Sequence, residues 1–181
     1  FPGLISNVTL PGGGTTDYAV EVYYEAVKNK HFVCPIAEGS YMDMMYMPDA
    51  LNACVQLMEA DPAKLVHRNS FNIASMSFTP EILFESMASI PDLDKIIKLS
   101  QLFGVSTDYL LKDEMEGEPV PELTIEYNVD PVKQAIADSW PNSLDDTCAR
   151  EEWGWNPKWD MDSMTQDMLK VIGEKHAKGL L

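Results

Sequence analysis

Apolar residues recur along this chain with two periods, and each change of period marks an element. Phe1-Pro2-Gly3-Leu4-Ile5-Ser6 reads as the end of a buried strand entering a ligand-facing loop, and Pro11-Gly12-Gly13-Gly14 belongs to that loop. Thr15 or Thr16 can cap a helix running to about Lys30, with Asp17 favourable in its first turn. Ala19, Val22, Tyr23 and Ala26 fall on one face of it. Residues 31–36 and 41–46 read as short strands around the turn Glu38-Gly39-Ser40. Pro48 sits where a first helical turn accepts proline, and Leu51, Cys54, Val55 and Met58 stripe that helix up to Asp61-Pro62. Residues 71–76 are another strand. Thr79-Pro80 opens a helix whose apolar side is Ile82, Leu83 and Met87.

From Pro91 the character changes. Leu93, Ile96, Ile97, Leu99, Leu102 and Phe103 make a dense short helix closed by Gly104, and Ser106 can cap a second one carrying Tyr109, Leu110 and Leu111. Residues 112–121 are acidic, contain prolines and read as a linker. Beyond them, residues 123–127 alternate as a half-buried strand, and residues 131–137 form a short helix before the turn Ser139-Trp140-Pro141. Residues 145–153 are helical, Gly154-Trp155-Asn156-Pro157 is a rigid loop, and Asp160 caps a last helix. Met161, Met164, Met168, Leu169 and Ile172 share one face of that helix. The order predicts an α/β fold without internal repeats. Residues 1–91 and 121–181 make one lobe, and residues 92–120 an inserted helical hairpin with its linker.

Composition narrows the partners. Hydrophobic residues are 45% of the 181, enough for a core, while the formal charge of −16 repels phosphate backbones and anionic lipid. That argues against nucleic acid or a membrane surface as the main partner. No apolar run approaches the roughly 20 residues of a membrane-spanning helix. Cys34, Cys54 and Cys148 are odd in number and widely spaced, with no CxxC pair and no ligand-spaced histidine cluster. Free thiols in a reducing cytosol are expected, and neither a disulfide framework nor a zinc site. An opening on Phe-Pro-Gly-Leu-Ile, with no Met and no polar lead-in, leads us to expect a preceding segment.

Few residues announce chemistry. Gly12-Gly13-Gly14-Thr15-Thr16 can either cradle an anion on backbone N–H groups or be a flexible loop with an ordinary cap. It matches neither the dinucleotide nor the P-loop fingerprint. Tyr24 and Lys28 have Tyr-x-x-x-Lys spacing, but the helical pattern turns both towards solvent, so the match is read as chance. Trp140, Trp153, Trp155 and Trp159 read mainly as packing. Trp140 stands apart on its turn as a candidate ligand contact. His31 and Cys34 point to opposite faces of a strand. His67 and His176 have no Cys or His at ligand spacing, and Glu114, Glu116 and Glu118 are a solvated run.

Several segments in one order carry a resemblance. They are Pro2-Gly3-Leu4-Ile5-Ser6, residues 11–19, Met44-Met45-Tyr46-Met47-Pro48-Asp49-Ala50, Ser77-Phe78-Thr79-Pro80, residues 134–141 and residues 143–155. Together they resemble the C-terminal part of the L-threonine 3-dehydrogenases of the extended short-chain dehydrogenase (epimerase/dehydratase) family. The resemblance covers about residues 1–91 and 122–175. It implies an incomplete Rossmann fold: the substrate-binding lobe, with the NAD site, the catalytic Ser/Thr and the Tyr-x-x-x-Lys in a preceding half. Pro2, Gly3 and Leu4 would then line the nicotinamide side of a cleft, and Gly14, Thr15, Thr16 and Trp140 would approach L-threonine or a similar small amino acid. The resemblance assigns no catalytic residue and no metal ligand to this chain.

The implied activity, oxidation of L-threonine to 2-amino-3-ketobutyrate, would need the missing Rossmann half in cis or in trans. The chain alone is expected to be inactive and to bind no NAD tightly. Residues 92–120 depart from that pattern and are similar to the last two helices of Cro/C1-type helix-turn-helix domains, without the helices that enter a major groove. A protein-interaction module is therefore the alternative function, and a transcription-regulator remnant the weakest one. The parent is expected in the cytoplasm, or in the mitochondrion if eukaryotic. Severed strand edges would favour a homo-oligomer.

Overall fold

Successive side chains on a strand point to opposite faces, and here both faces of a small sheet are covered. A computed structural model describes residues 1–67, 70–90 and 123–181. The predicted hairpin and linker of residues 92–120 lie outside these residues. β1 (Gly3–Ile5) pairs in parallel with β3 (Met42–Tyr46), which pairs antiparallel on its other side with β4 (Met76–Phe78). β2 (His31–Cys34) and β5 (Thr124–Tyr127) form a separate parallel pair. The helices are α1 (Tyr18–Lys28), entered through a 3-10 turn at Thr15–Asp17, α2 (Met47–Glu59), α3 (Pro80–Ser89), α4 (Pro131–Ser139), α5 (Thr147–Trp153) and α6 (Met161–Ala177). Among the described residues, no helix is long and apolar enough to cross a membrane.

Every residue of β3 is buried, because each face meets a hydrophobic cluster. Met42, Met44 and Tyr46 join Ile5, Tyr18, Val22 and Tyr23, together with Leu83 and Met87 of α3 and Met164, Met168 and Ile172 of α6. Met45 faces the other way, into a smaller cluster of Ala50, Ala53, Ile73, Ala149 and Trp155, with Leu4 against it. The predicted faces of α1 and α6 are thus the buried ones. α6 also begins as expected, with Asp160 accepting the Ser163 N–H at 2.9 Å.

Two expectations need correction. The stripe on α2 faces outward: Leu51 is 61% exposed and Met58 77%, while Asp49, Ala50 and Ala53 are the buried residues. Small side chains let this helix lie close against the sheet, and its periodicity alone could not show which face did so. Of residues 71–76 only Met76 is in a strand, at the start of β4. The strands flanking the Gly39 turn do not pair with each other but enter different sheets.

Carboxylates fasten the loops to this frame. Asp49, 1% exposed, accepts the backbone N–H of Lys158 through both oxygens and that of Trp159, each at 3.0 Å. Asp43 on β3 accepts the Leu144 N–H. Its carboxyl is pushed above the ordinary range by burial and by the nearby Asp146, against the hydrogen bonds from Leu144 and Ser77. Asp167 accepts from the Tyr46 hydroxyl and, at 3.0 Å, from Asn7, tying α6 to the segment after β1.

Asp49→Ala leaves two backbone donors without this acceptor and is expected to cost about 2–4 kcal/mol in urea unfolding, with Asn restoring part of it. Asp43 has a folded-state pKa above its unfolded value. Its contribution is therefore fully present below the unfolded carboxylate range and is lost as pH rises through the folded value. Asp43→Asn removes that dependence. The urea midpoint of the variant should gain on the parent between acid and neutral pH, and a constant difference would refute this.

Candidate functional site

The Gly-rich loop is shaped by the residue expected only to favour its helix. Asp17 Oδ2 accepts the N–H of Gly12 at 2.7 Å and of Gly14 at 2.8 Å. Gly14, not Thr15 or Thr16, is the N-cap residue, with extended backbone, and the 3-10 turn closes with Asp17 N–H donating to the Gly14 carbonyl at 3.3 Å. Gly13 takes a φ of 92°, which an L side chain would resist. The anion cradle read from the sequence thus holds a carboxylate of the chain itself. A ligand carboxylate would have to use other donors or displace Asp17.

Gly3 stands beside this turn. A Cβ there would lie 2.6 Å from both Met44 Sδ and Thr16 Cγ2, so only glycine lets β1, β3 and the turn meet. Gly3 and Thr16 are therefore neighbours. Leu4 points to the opposite face and packs with the Met45 and Trp155 cluster. Pro2 is half-buried, Thr15 is buried and Gly14 exposed. Trp140 ends α4, the helix that packs against the 3-10 turn, and remains 40% exposed. The fold therefore gathers Gly3, Thr16 and α4 around one loop.

Nearby groups are tuned by burial. Tyr18 follows the turn directly; desolvation pushes its hydroxyl far up, with Cys34, Glu81 and neighbouring tyrosines adding to it. That hydroxyl is buried and has no hydrogen-bond partner. Cys34 is raised to about 11, first by burial, and its thiol donates to the Ile36 carbonyl at 3.3 Å. Neither group is poised to lose a proton near neutrality. Tyr24 departs from the expected exposure: it is buried, and burial raises its pKa. Lys28 lies over its ring, 5.9 Å from the centroid, so the pair is a packed cation–π contact.

The remaining tryptophans pack as expected. Trp155 is buried and donates to the Ala74 carbonyl at 2.9 Å, Trp153 tilts against it at 5.8 Å, and Trp159 meets Tyr46 edge-on at 4.9 Å. The sequence missed two arrangements. One is the Asp17 clasp, whose only signal is an acid three residues after Gly14. The other joins His67, Cys148 and Glu152, which are too far apart in sequence to be read as ligand spacing.

No family model matches the chain. An uncharacterized epimerase/dehydratase of Staphylococcus aureus is 46% identical over 175 residues, which is 97% of this chain and 46% of that protein. Among solved structures, the L-threonine dehydrogenase of Clostridium difficile is 50% identical with a TM-score of 0.75, over 97% of this chain and 46% of the other. The GalE-like L-threonine dehydrogenase of Cupriavidus necator is 39% identical with a TM-score of 0.72, covering 94% and 50%. The L-threonine 3-dehydrogenase of Trypanosoma brucei is 38% identical with a TM-score of 0.74, covering 98% and 46%. The chain spans about half the length of the proteins it matches. It is a relative of the L-threonine dehydrogenases and epimerase/dehydratases, matching the C-terminal part of their extended short-chain dehydrogenase fold.

Proposed function

We infer that this chain supplies the substrate-binding part of an NAD-dependent L-threonine 3-dehydrogenase, and that a dinucleotide-binding part acts with it in the same polypeptide or in trans. The observation that carries this reading is the junction of Gly3, Thr16 and α4, the helix that Trp140 ends, around the loop that follows β1. In parallel α/β sheets ligands bind beyond the carboxyl ends of the strands, which is where this loop begins. The similarity to proteins named L-threonine dehydrogenases supplies the substrate.

NAD belongs to the other part. The space a Gly3 Cβ would fill is taken by Thr16 and Met44, and the Gly12 and Gly14 N–H groups hold Asp17. These residues do not form a dinucleotide cradle. Oxidising the threonine hydroxyl requires a hydride acceptor and a base, and Tyr24, which with Lys28 has the Tyr-x-x-x-Lys spacing, is buried with Lys28 over its ring and is not placed to act as that base. This chain's share is to hold the amino acid. Thr16 would meet its polar groups, and the partly exposed Trp140 would exclude water from it.

Purified chain mixed with L-threonine and NAD should give no NADH absorbance, and adding the N-terminal part of a related dehydrogenase should restore it. Turnover by the chain alone would overturn the division of labour. In the restored enzyme, Trp140→Ala should raise KM for threonine about tenfold or more, the scale expected when a large contact is lost. An unchanged KM would remove Trp140 from the site. Asp17→Ala should lower stability by about 1–2 kcal/mol in urea unfolding, with Asn recovering at least half, because the Gly12 and Gly14 N–H groups lose the acceptor they share.

A further inference from the structure

On the other side of the sheet, the segment after α2 meets α5 through three side chains that could hold an ion. Cys148 and Glu152 are four residues apart on α5 and share a helical face. Glu152 Oε2 accepts the backbone N–H of Val66 at 2.6 Å and of His67 at 2.9 Å, which pins the segment to the helix. Its Oε1 contacts His67 Nδ1, and the imidazole also stands edge-on to Phe71 at 6.2 Å. The ring therefore has one orientation. With the Nδ1 proton directed at the carboxylate, the Nε2 lone pair faces Cys148 Sγ, 3.9 Å away. All three ligand atoms lie within 4.8 Å of one another.

We propose that His67 Nε2 and Cys148 Sγ bind a borderline-soft divalent ion such as zinc, with Glu152 fixing the imidazole that ligates it. The distances suit one ion. Zinc–nitrogen and zinc–sulfur bonds of about 2.0–2.1 and 2.3 Å sum to more than the separation found, so one ion bridges both atoms at an angle of about 125–130°, open of tetrahedral. A nitrogen and a sulfur donor select zinc over magnesium or calcium, which prefer oxygen. A carboxylate on the far nitrogen of a ligating histidine is the usual means of fixing its tautomer. His67 is 53% exposed on its side chain, which gives the ion a path in and leaves its other positions to water. Binding converts the Cys148 thiol to a thiolate, releases one proton to solvent, and takes none from His67.

Cobalt(II), added under reducing conditions to the full chain, is the spectroscopic probe. It should give one thiolate-to-metal charge-transfer band in the near ultraviolet at one ion per chain, displaced by zinc. Cys148→Ser should abolish the band, His67→Gln should weaken binding at least tenfold, and Glu152→Gln should weaken it by about 10–100-fold. Cys54→Ser, on the exposed face of α2, should change nothing. A second measurement needs no variant: zinc should slow alkylation of Cys148 in the native chain while leaving Cys54 as reactive as before. Absence of the band, its survival in Cys148→Ser, or equal labelling of Cys148 with and without zinc would each overturn the site.

Discussion

The carboxylate of Asp49 sets the relation between the sheet and everything that follows it in sequence. It stands at the start of α2, just where β3 ends, and is fully withdrawn from water. A buried carboxylate is tolerable only when donors surround it, and here they come from Lys158 and Trp159, more than a hundred residues on. That contact fixes where the chain turns into α6. The position of α6 then decides the core, because Met164, Met168 and Ile172 close the cluster over α1 and α3. Apolar burial supplies most of the driving force, but it has no direction; Asp49 supplies the register.

The same device recurs at each loop that matters. Asp43 holds residue 144, Asp17 holds Gly12 and Gly14, Asp160 holds Ser163, and Glu152 holds residues 66 and 67. A charge of −16 looks, in composition, like a statement about partners. In the structure part of that excess has an internal use: the acids stand where backbone donors would otherwise go unpaired. Such carboxylates are a poor guide to ligands, because an acid beside a glycine loop can be the occupant of the cradle and not its rival. Asp17 shows this directly.

What could be read beforehand follows from range. Helices α1 and α6 and strand β5 were legible, because their period and caps are local: Asp160 directly before the first helical turn, Met164, Met168 and Ile172 at helical spacing. The facing of α2 was not legible. Leu51, Val55 and Met58 make a proper stripe, yet Ala50 and Ala53 win the sheet because closeness of approach outweighs side-chain size there. The site divides in the same way. Residues 1–6 and the loop at 12–14 read as a ligand-facing segment, but only pairing of β1 with β3 showed that Thr16 and Met44 crowd Gly3. Alternation also turns Leu4 towards Met45 and Trp155, on the face away from Met44.

Histidine 67 illustrates how a fastening contact acquires chemical potential. Glu152 is held below the ordinary carboxylate range: burial acts against this, but the hydrogen bonds from the His67 ring and from the backbone of His67 and Val66 prevail. An acceptor needed only to pin a loop would do its work through the two backbone N–H groups alone. The second oxygen of a carboxylate is then free, and the ring that follows the pinned backbone is near enough to use it. Once one imidazole nitrogen is committed, the other must face away from the helix backbone, and the residue one turn earlier on α5 is Cys148. Orientation of a ligand pair thus arises as a consequence of loop anchoring, without any signature in sequence spacing. Sites assembled in this way across 81 positions are visible only after the fold has brought their elements together.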